Sequence, residues 1–393
     1  MARFRVLTLN SISAKGLSRL PTELYEHGNG LETPDAVLVR SHDMHALEIP
    51  ASVLAIGRAG AGTNNIPVAR LSARGVPVFN APGANANAVK ELVLAGLLIG
   101  ARNIVPAVRF VEGLDGDDAA IERQVEEGKK HFAGLELPHH TLGVIGLGKI
   151  GSLVADAAIK LGMHVIGYDP EITVDAAWSL PSQVRRAHSI EELVRGSDFV
   201  SVHVPQIPAT IGLIDEKRIA LMRHGAVLLN FAREAIVDHA AVLEALRAKK
   251  LKAYVCDFPA AAFRGQPGVV ALPHLGASTR EAEENCALMV VDQLREYLEH
   301  GNIRNAVNFP DVVMARESPY RVGIANANVP NMLGQISTAM AAAGLNIHNM
   351  LNKSRGDMAY TLVDVDSPVP EGVVRGIGSI AGVLSVRNLP VEG

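Results

Sequence analysis

The stretch TLGVIGLGKIGSLVADAAIKLGMHVIGYDP, from Thr141 to Pro170, decides the fold. Leu142 to Ile145 is an apolar run of the length of a buried parallel strand. Gly146-Leu147-Gly148-Lys149-Ile150-Gly151 follows, and apolar residues then recur at Ile150, Val154, Ala157 and Ala158, the spacing of one helix face. A second apolar run, Met163 to Tyr168, ends on Asp169. Strand, glycine-rich turn, helix, strand and acid in this order describe a dinucleotide-binding unit. Gly146 permits the tight turn, Gly148 lets the backbone approach a pyrophosphate, and Gly151 lets the helix lie close to the sheet. The helix start, at Lys149 and Ile150, offers unpaired N–H groups to the pyrophosphate. Asp169 lies 23 residues beyond Gly146, where an acid accepts from both ribose hydroxyls of NAD and repels the 2′-phosphate of NADP.

Working outward, 393 residues suffice for two or three domains. With 48% apolar and 20% charged residues the composition is that of a globular protein rather than a disordered one. A net charge of −4 supplies no basic footprint, so neither nucleic acid nor anionic membrane is expected as a partner. Cys256 and Cys286 are too few for a disulfide framework and suit a reducing compartment. The opening MARFRVLTLN has no long apolar core and no run reaches 18 apolar residues, so no signal peptide or membrane span is expected and the expected location is cytoplasmic.

Before the central stretch, runs at 4–9, 36–39, 53–56 and 76–79 are spaced as strands of a small α/β unit. The glycine-rich segment 53–67 lacks the helix and acid of a second dinucleotide motif. It reads as a strand leading into a loop whose N–H groups, with Arg58, Gly60, Ala61 and Gly62, hold an anionic substrate. The alternative is a glycine turn beside a solvent arginine. Asn80-Ala81-Pro82-Gly83 is a turn. From Asn85 to Val111 the pattern is helical with a break expected near Pro106, whereas 112–140 shows little periodicity.

Beyond Asp169, polar residues recur where apolar strands end. His203-Val204-Pro205 follows 198–202, Asn230-Phe231-Ala232-Arg233 follows 226–229, Asp257 follows 253–256 and His274 follows 269–272. Ligands of a doubly wound sheet bind outside these carboxyl ends. Hydride transfer between an alcohol and a carbonyl needs a proton carrier active near neutrality and a cation that clamps a carboxylate. His274 and Arg233 fill those roles; a surface histidine and a structural ion pair are the plain alternatives. His203 suits a wall of the cofactor site. No HExxH, CxxC or paired-carboxylate arrangement suggests a metal.

After a proline-bounded linker at 310–319, residues 320–390 alternate as β-α-β-β-α-β, with strands from Tyr320, Ile347, Met358 and Val383 and helices after Pro330 and before the last strand. This is the order of a ferredoxin-like sandwich.

Taken together, Gly60 to Asn65, Gly75 with Asn80-Ala81-Pro82, Gly134 with Thr141 to Gly148, His203-Val204-Pro205, Asn230 to Arg233 and Pro273 to Thr279 resemble the D-isomer-specific 2-hydroxyacid dehydrogenases across residues 4–305. The resemblance implies an α/β protein in which a doubly wound NAD-binding domain, 96–284, is inserted in a flavodoxin-like substrate-binding domain, 1–95 and 285–310. It also implies an active site in the cleft between them and a homodimer or homotetramer. The implied activity is NAD-dependent oxidation of D-3-phosphoglycerate to 3-phosphohydroxypyruvate, the first step of L-serine synthesis. Another 2-hydroxy acid such as glycerate, or an NAD- or amino-acid-sensing protein with weakened catalysis, are the alternatives. Carried over, Arg233 holds the substrate carboxylate and polarises the C2 oxygen, and His274 exchanges the proton of that oxygen, as general base in the oxidative direction. Arg58, Gly60, Ala61, Gly62 and Asn80 bind the rest of the substrate. His203, Val204, Pro205, Phe231, Ala232, Arg233, Asp257, His274 and Gly276 line the cofactor, with Asp257 at the nicotinamide carboxamide. The C-terminal part, 318–393, resembles an ACT regulatory domain, in which Asn326, Asn328 and Asn346 are candidate contacts for an L-serine effector. It departs from that pattern with Asn326 in place of a histidine and Asn331 in place of a glycine. A second departure lies at Ala262, where the family carries the glutamate that partners the histidine.

Overall fold

The computed structural model describes residues 4–389; the outer ends of the expected segments, 1–3 and 390–393, lie outside them. Backbone packing separates two compact units. One holds the described residues up to Asn85 and those from Arg280 onward, and the other is Ala86–Thr279. The helix Ala86–Arg102 runs across the expected boundary at 95/96 and belongs whole to the second unit.

The first unit begins with a parallel sheet of β1 (Phe4–Leu9), β2 (Tyr25–Gly28), β3 (Ala36–Val39), β4 (Ala55–Arg58) and β5 (Val78–Phe79), in the order β2-β1-β3-β4-β5. This is the flavodoxin-like winding. Strand β2 has no apolar run; it pairs on one side only, and Glu26 and His27 face solvent, so its sequence carries no period to read. The helix Arg280–Arg295 lies so close to β4 that a Cβ at Gly57 would meet Leu294 at 2.8 Å and Val290 at 2.9 Å.

The second unit is a seven-stranded parallel sheet of β6 (Thr141–Ile145), β7 (His164–Tyr168), β8 (Arg185–Arg186), β9 (Phe199–Val202), β10 (Ala226–Asn230), β11 (Leu251–Cys256) and β12 (Val269–Ala271). Its order, β12-β11-β10-β9-β6-β7-β8, reverses direction at β6, the switch point of a doubly wound sheet. Helix Ala86–Arg102 approaches β10 through two glycines: a Cβ at Gly96 would meet the Phe231 ring at 2.9 Å, and one at Gly100 would meet Val227 at 2.8 Å. The helical run breaks at Asn103, which is left-handed with φ 54°, and not near Pro106. Pro106 sits in the first turn of the next helix, Ile104–Glu112, where its missing N–H removes no intrahelical bond. Within the aperiodic stretch 112–140 lies a further helix, Asp118–Gly128, capped by Asp117, whose side chain accepts from the N–H of Ala120 at 2.9 Å. It buries no residue, and so shows no apolar stripe.

The chain returns to the first unit and adds an antiparallel sheet of β13 (Tyr320–Ala327), β14 (Ile347–Arg355), β15 (Met358–Val365) and β16 (Val383–Asn388), ordered β14-β15-β13-β16, with helices Met332–Ala342 and Glu371–Gly378. The topology is the expected ferredoxin-like one. Arg321 on β13 is buried and its guanidinium is fully engaged. Nε and Nη2 donate to Asp364 at 2.6 and 2.8 Å, and the remaining N–H groups reach the carbonyls of His300, Met314 and Ala315 at 2.8–3.2 Å. The expected spacer at 310–319 is therefore bound to the sheet it leads into.

Candidate active site

The turn after β6 is set by sterics. Gly146 adopts φ 90°, and a Cβ there would meet the carbonyl oxygen of His203 at 2.6 Å. At Gly151 a Cβ would overlap the carbonyl oxygen of Gly146. At Gly148 the same addition would meet nothing within 4 Å, because this face is open. Gly148 is the N-cap of the helix Lys149–Lys160, whose first N–H groups have neither intrahelical partners nor a side-chain cap. Asp169, at the end of β7, is fixed by two backbone donors, Leu147 at 2.8 Å and Glu171 at 3.0 Å. A carboxylate oxygen has a second acceptor site, so both remain able to accept from a ribose diol. Open backbone for a pyrophosphate, free helix N–H groups and a fixed acid on the neighbouring strand together fit NAD.

On the other side of the switch point the remaining candidates occupy successive strand ends. After β9, Val204 lies beside Gly146, and His203 pairs through Nε2 with Ser201 Oγ at 2.8 Å. Burial pushes the His203 pKa down to about 4, so it stands neutral near pH 7 and can wall a cofactor without bringing charge. Ser201 is a partner the sequence reading missed; its signal is the alternation of the strand, which puts residues 201 and 203 on one face. After β10, Phe231 buries its ring against Gly96, so its side chain belongs to the core. The fully buried Asn230 pins the turn, donating to the carbonyl of Arg233 at 2.9 Å and accepting from the N–H of Ala232 at 3.1 Å. Arg233 is exposed, with Nη1 donating to the carbonyl of Ala232 at 2.6 Å and the rest of its fork available.

Asp257, after β11, is 1% exposed, and its oxygens accept from the N–H groups of Leu275 and Gly276 at 2.7 and 2.8 Å. Those bonds fix the turn that carries His274, itself left-handed at φ 58°. A non-glycine residue in that region is held there by its surroundings. The His274 side chain, by contrast, has one recorded neighbour among the described residues, the ring of Phe258 at 5.2 Å and edge-on. Ala262 stands exposed in the short helical turn Ala261–Phe263.

In the first unit, Arg58 ends β4 and lays its guanidinium across Gly60, where any Cβ would overlap Nη1. Asn80 Nδ2 donates to the carbonyl of Ala61 at 2.6 Å and Ala81 N–H to that of Gly60 at 2.9 Å. These bonds hold the loop by its carbonyls and leave the N–H groups of Ala61 and Gly62 without a recorded protein acceptor among the described residues. The effector candidates have separate local partners. Asn326 is 1% exposed and donates to the carbonyl of Ala327 at 2.8 Å, with its Oδ1 buried and unpartnered among the described residues. Asn328 donates to the carbonyl of Gly356 at 3.0 Å, and the N–H of Asn346 donates to Asp366 at 3.2 Å.

Comparison with known proteins bears on the family, the fold and the cofactor. Residues 108–276 match the family described as D-isomer specific 2-hydroxyacid dehydrogenase, NAD binding domain. A D-3-phosphoglycerate dehydrogenase of Haemophilus influenzae is 32% identical over 355 residues, covering 87% of this chain and 83% of its own. One of Methanocaldococcus jannaschii is 34% identical over 380 residues, covering 92% of this chain and 67% of its own. Among solved structures, the apo D-mandelate dehydrogenase of Rhodotorula graminis shares the fold, with a TM-score of 0.66 at 24% identity over 77% of this chain and 96% of that one. No single helix among the described residues is long and apolar enough to cross a membrane. With relatives of this identity matched over most of their length, the chain belongs to the D-isomer specific 2-hydroxyacid dehydrogenases, a family of NAD-dependent oxidoreductases.

Proposed function

We propose that this enzyme interconverts D-3-phosphoglycerate and 3-phosphohydroxypyruvate, the entry to L-serine synthesis. The observation that carries the reading is the loop at Gly60, where the Arg58 guanidinium lies across the glycine and the N–H groups of Ala61 and Gly62 have no protein acceptor among the described residues, a cradle for an anion. The relatives named D-3-phosphoglycerate dehydrogenase, matched over 83% and 67% of their lengths, support it. Bound NAD supplies the hydride acceptor. Arg233 clamps the substrate carboxylate and polarises the C2 oxygen, while His274 takes the C2 hydroxyl proton in oxidation and returns it in reduction. Asp257 and Asn230 position these two through their turns. The test is NADH consumption with phosphohydroxypyruvate, hydroxypyruvate and glyoxylate in parallel. A kcat/KM for the phosphorylated acceptor no higher than for the others removes the assignment.

The lack of a hydrogen-bond partner for the His274 ring among the described residues favours a second reading, a sensor with weakened catalysis. Turnover with none of the three acceptors, together with intact NAD binding, would select it. We further propose a homo-oligomer, because Ile104, Val108 and Val111 expose an apolar stripe on the helix Ile104–Glu112, which buries none of its own residues. A monomer in sedimentation at micromolar concentration would remove that. L-serine remains the proposed effector of the C-terminal module, with the buried Oδ1 of Asn326 as its best support; calorimetry showing no heat with serine would leave the module as an assembly element.

A further inference from the structure

A cavity of about 700 Å³ lies wholly within the first unit, between Asn80, the loop at Asn305–Asp311 and the end of β14. On β14, Lys353 and Arg355 are two residues apart and so share one face of the strand. Both are exposed, and both line the cavity. Among the described residues Lys353 has no recorded partner. Arg355 uses Nη1 on the carbonyl of Ala306 at 2.9 Å and keeps the rest of its fork. One acid lines the same space, Asp311, and its Oδ1 accepts from the N–H of Asn305 at 2.8 Å. The cavity is left with an excess of one positive charge.

Its wall is continuous with the substrate loop. Ala306, which receives Arg355, bridges to Phe79 at the end of β5. The N–H of the next residue, Asn80, donates to the carbonyl of Asn305 at 3.4 Å, and the Asn80 side chain holds Ala61 at 2.6 Å. A group bound between Lys353 and Asn305 therefore sits against the residues that shape the cradle at Gly60.

We propose that Lys353 and Arg355 make this cavity a site for a phosphoryl group. Two cations on alternate positions of one strand stand roughly 7 Å apart along the backbone and converge on a tetrahedral dianion from two directions. A planar carboxylate would be met by the arginine fork alone. The phosphoryl group is either the substrate's own or that of a second phosphorylated molecule. The first source rests on the functional reading above, and the site itself does not.

The test uses the full chain with Lys353→Glu and, as a variant that removes charge without reversing it, Lys353→Met. Titration calorimetry with inorganic phosphate is expected to show binding that weakens about tenfold or more in both variants, the loss of one charge-assisted contact. Unchanged melting temperatures check that both remain folded. In parallel, KM is measured for phosphohydroxypyruvate and for hydroxypyruvate. A rise of about tenfold for the phosphorylated acceptor alone assigns the site to the substrate's phosphate. Unchanged KM values with weakened phosphate binding assign it to a second ligand. Phosphate affinity equal in all three proteins, with KM unchanged, overturns the proposal. Weakened phosphate binding in an enzyme that ignores phosphohydroxypyruvate would overturn the substrate assignment and leave the site standing.

Discussion

The corner around Gly146 and Asp169 and the corner around His274 lie at the same end of one sheet, yet they are fixed to different degrees. In the first, Gly146 and Gly151 are required by overlap with neighbouring carbonyls, and both oxygens of the acid have backbone donors. In the second, the backbone is equally fixed, through Asp257 and a left-handed His274, but among the described residues the ring proposed to carry the proton has no hydrogen-bond partner and stacks edge-on against Phe258. Holding a cofactor demands a rigid backbone surface before binding. Proton exchange demands one ring orientation, which no side-chain hydrogen bond among the described residues sets here. The family's glutamate would supply that orientation in advance, and Ala262 does not.

Five measurements break or sharpen this contrast. Largest is His274→Ala, expected to lower kcat by about 10²–10⁴ while leaving NAD affinity unchanged; a loss confined to NAD binding would mean that the histidine serves the cofactor corner. Next, Gly151→Ala forces helix and turn apart and is expected to weaken NAD binding by roughly 10²-fold and to cost about 2–3 kcal/mol of stability. Wild-type titration of this variant with NAD would show that the corner is softer than its sterics imply.

The third concerns pH. His203 stays neutral when folded down to about pH 4 but takes up a proton near pH 6.5 when unfolded. Unfolding therefore binds a proton throughout that window, and stability is lost as pH falls from about 6.5 toward 4. At pH 5 the loss is about 2 kcal/mol relative to pH 7. Urea unfolding of His203→Gln should lack this component, and equal pH dependence in both proteins would place the titration elsewhere. Fourth, Asp169→Ala should narrow the preference for NAD over NADP by about tenfold, chiefly by weakening NAD. Smallest is Ala262→Glu, expected to raise the rate of ketone reduction about tenfold by giving the His274 ring a fixed partner. No change would show that the loop does not carry position 262 to the ring.

The first corner was legible because its parts are contiguous: thirty residues hold the strand, turn, helix and acid, and each leaves a local mark in composition. The three strand-end residues Arg233, Asp257 and His274 were legible for the same reason, as polar stops after apolar runs. What their side chains touch was not. Asp257 binds Leu275 and Gly276, 18 and 19 residues away, and no local pattern records such a pairing. Strand β2 and the helix Asp118–Gly128 escaped because one lies at an edge and the other buries nothing, so neither imposes an apolar period. The helix break was misplaced because proline is the stronger sequence signal, whereas Asn103 makes the break by adopting a left-handed backbone.

Arg321 has a consequence for anyone who would exchange modules. Its five N–H groups are divided between Asp364 within the C-terminal sheet and three carbonyls at positions 300, 314 and 315, upstream of that sheet. A graft made at the obvious seam, the prolines at 310–319, would keep Asp364 but part the buried guanidinium from the carbonyl of His300, and a cut late in that segment from those of Met314 and Ala315 as well, leaving buried N–H groups without acceptors. A transplantable cassette must begin before His300, taking the end of the long helix with it. The natural joint of this protein is not its linker.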